Sequence, residues 1–147
     1  TRVRNVYNER VEGYKLALKE SGLKYDESLV WETPLTLESG SQSAAAMLAM
    51  KRRPDGVFAC NDASAIGCIM ELKAKGLAVP EDIAVVGFNN DSASLIIDPQ
   101  LSTIRYPVEE MAVIAAKKLL EAIEKPESGI RDEEIFLDTE LIIRKSS

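Results

Sequence analysis

Apolar and polar positions alternate along the chain with two different periods. Stretches in which apolar residues recur every three or four positions predict helices over residues 8–21, 41–52, 63–75 and 108–124. Short apolar runs predict strands over residues 2–6, 29–32, 57–60, 83–88 and 101–105, with two further runs at 135–137 and 141–143. Residues 89–100 are expected to form a loop with one helical turn. Strands separated by single helices predict right-handed βαβ units, and therefore an α/β fold with a parallel sheet.

Residue types at the ends of these segments refine the prediction. Asn8 is placed to cap the first helix, and Ser39 with Gln42 has the spacing of a capping box ahead of the second. The runs 57–60 and 83–88 contain no polar residue, which is typical of strands buried on both faces of a sheet. Helix 108–124 carries a full apolar stripe, which another part of the protein must cover.

Composition bears on function mainly through what the sequence lacks. The 147 residues include no histidine, which excludes Ser-His-Asp and Cys-His catalysis and histidine metal sites. Cys60 and Cys68 match no metal or redox spacing, and are expected as small core residues of a reduced, cytoplasmic protein. A Gly-rich phosphate loop and a GxSxG elbow are both absent. No metal, no cofactor and no enzymatic activity are therefore expected.

Charge and hydropathy limit the partners. The formal net charge is −6 and no basic face is clustered, so the chain by itself is a poor nucleic-acid binder. No apolar run approaches the roughly 20 residues of a membrane span, and no signal peptide opens the sequence. We therefore expect a cytoplasmic protein with no membrane partner.

Candidate binding residues follow the strands, because ligands of open α/β sheets bind beyond the carboxyl ends of the strands. Asn61 and Asp62 follow one buried strand, Asn89 and Asn90 follow the next, and Arg10 follows the run 2–6. Side-chain amides donate and accept hydrogen bonds, and a guanidinium offers a planar pair of donors, which together suit ligand hydroxyls. Each has a structural alternative: helix caps at 61–62, a turn at 89–91, and a surface arginine.

Four stretches carry a family resemblance. They are ERVEGYKLALKESG from Glu9, ESG at 38–40, RPDGVFACNDASAIG from Arg53, and VPEDIAVVGFNND from Val79 followed by LSTIRYPVEEM from Leu101. In this order and spacing they resemble the C-terminal half of the effector domain of LacI/GalR transcriptional regulators. The ending ELIIRKSS is also similar to a family C-terminus.

The resemblance implies a type I periplasmic-binding-protein fold, a three-layer αβα sandwich. In that fold two subdomains clasp a small effector, usually a sugar or a purine-like metabolite. It further implies that Arg10, Asn61 and Asn89 contact the effector, with Leu35, Asp62 and Asn90 as secondary candidates.

The sequence departs from the family pattern at two places near these residues. The family commonly has Asp where Asn89 stands, often followed by a second Asp where Asn90 stands, so a strong hydroxyl acceptor is replaced by an amide. This points away from a typical sugar or to a different pattern of hydroxyls. The family's stacking aromatic falls near Leu35, and Trp31 is expected in the core.

The resemblance also implies a division of the chain. Residues 1–106 would form the C-terminal effector-binding subdomain, and residues 107–126 a crossover helix that packs on an N-terminal subdomain. Residues 127–147 would hold the returning strands. Homodimers are expected to pair through Ile66, Met70 and Ile97, although about half of the apolar residues in this region would face the core in any case.

The preferred interpretation is the effector-sensing half of a transcriptional regulator, which reaches operator DNA only through an N-terminal domain outside this chain. The alternative within the same fold is a periplasmic sugar-binding protein of a transporter. A third class is a small doubly wound enzyme or a phospho-receiver domain. The missing histidine weakens the enzyme, and no lysine stands where a receiver domain needs one.

Overall fold

The computed structural model describes residues 5–124 and 133–147. Five helices alternate with strands: α1 (Asn5–Glu20), α2 (Leu37–Leu48), α3 (Asp62–Ala74), α4 (Ala93–Ile96) and α5 (Val108–Glu124). The strands are β1 (Gly56–Phe58), β2 (Ala84–Phe88), β3 (Ser102–Arg105) and β4 (Glu140–Ile142). A 3-10 helix covers Glu27–Leu29. The predicted α/β class is confirmed.

The four strands form one sheet in the order β1-β2-β3-β4. β1 pairs with β2 and β2 pairs with β3 in parallel, with Val57 opposite Val85 and Val86 opposite Ser102. β4 pairs with β3 in antiparallel fashion, with Leu141 opposite Ile104. The sheet is therefore dominated by parallel pairs, as the alternation of strands and helices predicts.

The hydrophobic core lies between helix α3, helix α2 and the sheet. Ile69, Leu72, Ile83, Val85 and Leu101 are fully buried there. The two helices approach closely at two glycines: a Cβ on Gly40 would overlap the backbone of Ser64, and a Cβ on Gly67 would overlap the carbonyl of Leu37. This contact holds the start of α3, and so the candidate residues 61 and 62, against the rest of the domain.

Several predicted boundaries are wrong. Residues 5 and 6 of the predicted strand 2–6 belong to α1, and residues 1–4 lie outside the described part. Asn8 lies inside α1 rather than capping it. The capping box consists of Thr36 and Ser39, so α2 begins at Leu37. Thr36 offers the same hydroxyl acceptor three residues earlier than the Ser39 and Gln42 pair suggested.

Two of the predicted strands are not strands in the structure, and a third lies at the edge of the sheet. Leu29 ends the 3-10 helix, residues 30–32 follow it without strand pairing, and residues 135–137 are irregular. β1 was expected to be buried on both faces, but Phe58 is exposed because β1 is the edge strand of the sheet. Trp31, expected in the core, is 39% exposed. An unbroken apolar run therefore does not distinguish a central strand from an edge or a loop.

The C-terminal residues are anchored between two central strands. The Ser146 hydroxyl donates to the Val85 carbonyl (2.6 Å) and accepts from the Ser102 amide (2.8 Å). The Val85 amide donates to the Ser146 carbonyl at 2.7 Å. Both Ser146 and Ser102 are fully buried, so these bonds satisfy backbone groups that water does not reach.

Candidate functional site

Arg10 connects the two loops that follow β1 and β2. Its Nη1 donates a hydrogen bond to the Cys60 carbonyl at 2.6 Å. Its guanidinium carbon lies 3.6 Å from the centroid of the Phe88 ring, a cation–π distance. Cys60 directly precedes Asn61, and Phe88 directly precedes Asn89. The arginine therefore contacts the residue next to each of the other two candidates.

Asn61 caps helix α3 and also forms a hydrogen bond to the segment that precedes α2. Its Oδ1 accepts from the Ser64 amide at 2.9 Å, which caps α3. Its Nδ2 donates to the Leu35 carbonyl at 2.8 Å. The cap interpretation is confirmed, and one Nδ2 hydrogen remains without a partner among the described residues.

Asp62 does not line an open surface. Its side chain is fully buried. Oδ1 accepts from the Thr103 hydroxyl at 2.6 Å, and Oδ2 accepts from the Asp91 amide at 2.7 Å. Direct effector contact by Asp62 does not agree with this placement, because both carboxylate oxygens are enclosed and engaged inside the protein.

Asn89 and Asn90 form a turn with an unusual backbone. Their φ angles are 119° and 56°, in the region that side chains other than glycine rarely adopt. The Asn90 Oδ1 accepts from Arg144 Nη2 at 2.6 Å, so this side chain is held by the protein. The Asn89 side-chain amide has no hydrogen-bond partner among residues 5–124 and 133–147. Asn89 therefore has its whole side-chain amide free, whereas Asn90 has only its Nδ2 group without a partner in these ranges.

Two cavities lie near the candidate residues, and Asn61 and Asp62 line neither of them. A cavity of about 1040 Å³ between α1, α2 and β1 is lined by Arg10, Leu35, Trp31 and the buried Ser64. The Ser64 hydroxyl has no hydrogen-bond partner within the described part of the chain. A second cavity of about 450 Å³ is lined by Asn89 and other residues at the start of α5. The Arg10–Phe88 contact joins the elements that line the two spaces.

Aromatic and basic residues that the sequence did not single out complete this region. Phe88, the ring that Arg10 contacts, also stacks with Tyr106, with ring centroids 6.1 Å apart. Arg144 donates to Ser94, to the Leu101 carbonyl and to Asn90. Tyr106 and Arg144 both follow strands, as Asn61 and Asn89 do. A position just after a strand therefore indicates these two residues as well.

The two cysteines lie beside the larger cavity. Burial raises the pKa of the Cys60 thiol, and the nearby Arg10 charge partly opposes that rise. Burial raises the pKa of Cys68 to about 11. Both thiols are therefore protonated near neutral pH, which makes them poor nucleophiles and poor metal ligands.

No cluster of three metal-ligating side chains occurs among residues 5–124 and 133–147. In the same ranges, no helix is long and apolar enough to cross a membrane.

The predicted dimer residues differ in exposure. Ile66 is 9% exposed and packs in the core, so it has little area to offer a partner. Met70 is 48% exposed, and Ile97 is half-buried. Beside Ile97, Leu95 and Ile96 expose 54% and 83% of their surface. Met70, Leu95, Ile96 and Ile97 form what we call the α3–α4 apolar patch.

A family model described as a periplasmic binding protein-like domain matches residues 1–147. The chain belongs to this family.

Within the family, the similar proteins are regulators of the LacI type, as the four motifs indicate. The probable HTH-type transcriptional repressor ExuR of Bacillus subtilis is 39% identical over 138 residues, which are 94% of this chain and 41% of the relative. A putative LacI transcriptional regulator from Bacillus cereus subsp. cytotoxis is 26% identical with a TM-score of 0.89, covering 96% of this chain and 49% of that one. A CelR–cellobiose complex is 33% identical with a TM-score of 0.84, and the match covers 95% of this chain and 42% of that one.

The proteins that this periplasmic binding protein-like chain resembles are thus transcriptional regulators, including a regulator of the LacI type. The chain spans about two fifths of the length of the curated relatives it matches. The fold and family expected from the sequence are confirmed.

Proposed function

We propose that this chain is the effector-sensing half of a DNA-binding transcriptional regulator, in which a sugar or another small polyhydroxylated metabolite binds at the carboxyl ends of β1 and β2. The observation that carries the proposal is the position of Arg10. It contacts Cys60 and Phe88, the residues directly before Asn61 and Asn89, which supports a site shared by α1 and the segments after β1 and β2.

The comparisons support this assignment. The relative ExuR is named a repressor, and the CelR structure carries cellobiose. Arg10 would hold a ligand oxygen with its planar donors, while Asn89 would both donate to and accept from a hydroxyl. Asn61 would add one amide hydrogen. An amide at position 89 accepts less strongly than a carboxylate, so we propose an effector whose hydroxyl pattern differs from that of sugars bound through Asp.

We propose the chain division 1–106, 107–126 and 127–147, with α5 packed on an N-terminal subdomain. Supporting this, every described residue of α5 is at least partly exposed, although the helix is amphipathic. Val108, Met111, Leu119 and Ile123 expose 46–64% of their surface. In the intact regulator that subdomain would also supply the second wall of the effector cleft. Effector would then favour one of two subdomain arrangements, which the DNA-binding domains read.

The intact regulator would act as a homodimer in the cytoplasm, with no membrane partner. The α3–α4 apolar patch supports the dimer, since Met70, Leu95 and Ile96 would otherwise remain in water. The transporter alternative has less support, because the similar curated proteins are named as transcriptional regulators.

A thermal-shift screen of the full-length regulator against sugars and nucleobases tests the proposed function. An effector present at 100 times its dissociation constant stabilises the folded state by about 2.7 kcal/mol, so it is readily detected. Arg10→Ala is expected to abolish the shift. Arg52→Ala, which removes an exposed arginine outside the site, is expected to preserve it. Equal shifts in the two variants would contradict the role of Arg10.

A further inference from the structure

The loop that carries Asn89 is fixed by three consecutive backbone amides, each bound to a different part of the fold. The Asn89 amide donates to the Ile104 carbonyl at 2.9 Å. The Asn90 amide donates to the Thr103 hydroxyl at 3.2 Å, and the Asp91 amide donates to Asp62 Oδ2 at 2.7 Å. Two of the three residues have positive φ, a strained conformation that persists only where surrounding contacts impose it.

Asp62 is involved in two of these three contacts. It accepts directly from Asp91, and through Oδ1 it accepts the hydroxyl proton of Thr103 at 2.6 Å. Because that proton points toward Asp62, the Thr103 oxygen presents its lone pairs to the Asn90 amide. The carboxylate thus orients the acceptor that holds Asn90 and is itself the acceptor that holds Asp91.

Among the described residues, no other contact of Asp62 gives its carboxylate a different role. No lysine or arginine in the described ranges forms an ion pair with it. Its place in the first turn of α3, where backbone amides favour negative charge, stabilises the buried carboxylate. Gly87 makes room for it, since a Cβ at that position would overlap Oδ1.

We infer that Asp62 is a positioning residue that sets the backbone of the Asn89–Asp91 loop and thereby aims the Asn89 side chain at the effector. The inference extends the proposed function, because it gives the Asn89 contact a structural cause. Arg144 donates to the Asn90 side chain, whereas the Asn89 side-chain amide has no partner in the described ranges and is available to a ligand.

Substitutions of Thr103 test the inference best, because two conservative replacements separate the effect of side-chain shape from that of the hydroxyl hydrogen bond. Thr103→Val keeps the volume and removes the hydroxyl, whereas Thr103→Ser keeps the hydroxyl. Hydrogen–deuterium exchange of the full-length regulator, resolved to single amides and measured without any ligand, reports the loop directly. We expect Thr103→Val to speed exchange at Asn90 and Asp91 about tenfold relative to Val85 and Val86 in the adjacent strand. Thr103→Ser should restore slow exchange.

Asp62→Asn provides the second variant. The asparagine side chain has one oxygen, so either the Asp91 amide or the Thr103 hydroxyl loses its acceptor. We therefore expect the backbone amide of Asn90, of Asp91, or of both to exchange about tenfold faster. Unchanged exchange at both amides in both variants would overturn the inference, as would an increase matched at Val85 and Val86. Because no effector enters this experiment, its failure is distinct from failure of the proposed function, which the thermal-shift screen reports.

Discussion

The guanidinium carbon of Arg10 lies 3.6 Å from the centroid of the Phe88 ring, and the same arginine donates to the Cys60 carbonyl. Arg10 comes from α1, Phe88 ends β2, and Cys60 follows β1. This single side chain therefore fixes the relative position of three segments that are far apart in sequence. If it also binds effector, the ring beneath it determines where its donors point.

Phe88→Leu is expected to weaken effector binding without unfolding the domain. A cation–π contact of this kind contributes about 0.5–2 kcal/mol, so affinity should fall roughly two- to thirtyfold. Calorimetric titration of the full-length regulator with the compound that stabilises it measures the change. Phe136→Leu is the matched control, since Phe136 is 88% exposed and lines neither cavity. Equal losses in the two variants would show that the ring has no special role.

Gly67→Ala is expected to destabilise the domain strongly, because the new Cβ would overlap the Leu37 backbone and push α2 from α3. Overpacking of this kind costs about 1–3 kcal/mol, and a backbone obstacle places it at the upper end. Gly13→Ala is the control: no atom lies within 4 Å of its Cβ, and alanine favours a helix over glycine by up to about 1 kcal/mol. Urea denaturation separates them, and a Gly67→Ala protein as stable as wild type would refute the packing argument.

The pattern of the sequence predicted the helices better than the strands, and there is a physical reason. The stripe in 108–124 matches α5 because a helix satisfies its hydrogen bonds within one segment. A strand requires a neighbour, and among residues 5–124 and 133–147 the run 29–32 has none, although its composition suits a strand. Trp31 is exposed for the same reason.

Candidate residues could be found from the sequence, but their roles required the structure. Asn61, Asp62 and Asn89 all follow strands, which is why they were chosen. Only the fold shows that Asp62 is enclosed by Thr103 and Asp91, because those contacts join residues 29 to 41 positions apart. Arg144 binds Asn90 across 54 positions, a relationship that no local spacing encodes.

The stability of the domain is expected to fall between about pH 9 and pH 11 through Cys68. Its pKa rises from 9.0 in the unfolded chain to about 11 on folding, so the folded state holds the thiol proton more tightly. The stabilisation is complete below pH 9 and is lost as pH rises toward 11, by about 2–3 kcal/mol. Denaturant titrations of wild type and Cys68→Ala across this range isolate the effect, since other titrating groups are common to both. The difference between their free energies of unfolding should shrink as pH rises. A difference that stays constant would contradict the proposed contribution of Cys68.

Ile96→Glu in the full-length regulator is expected to dissociate the proposed dimer. Ile96 exposes 83% of its surface, and burying a carboxylate there against a second copy would cost a few kcal/mol. The dissociation constant should therefore rise roughly a hundredfold or more, which analytical ultracentrifugation over a concentration series detects. Leu23→Glu is the control, because Leu23 is 61% exposed after α1, outside the α3–α4 apolar patch. A dimer that survives Ile96→Glu but not Leu23→Glu would place the interface on the α1 side of the domain instead.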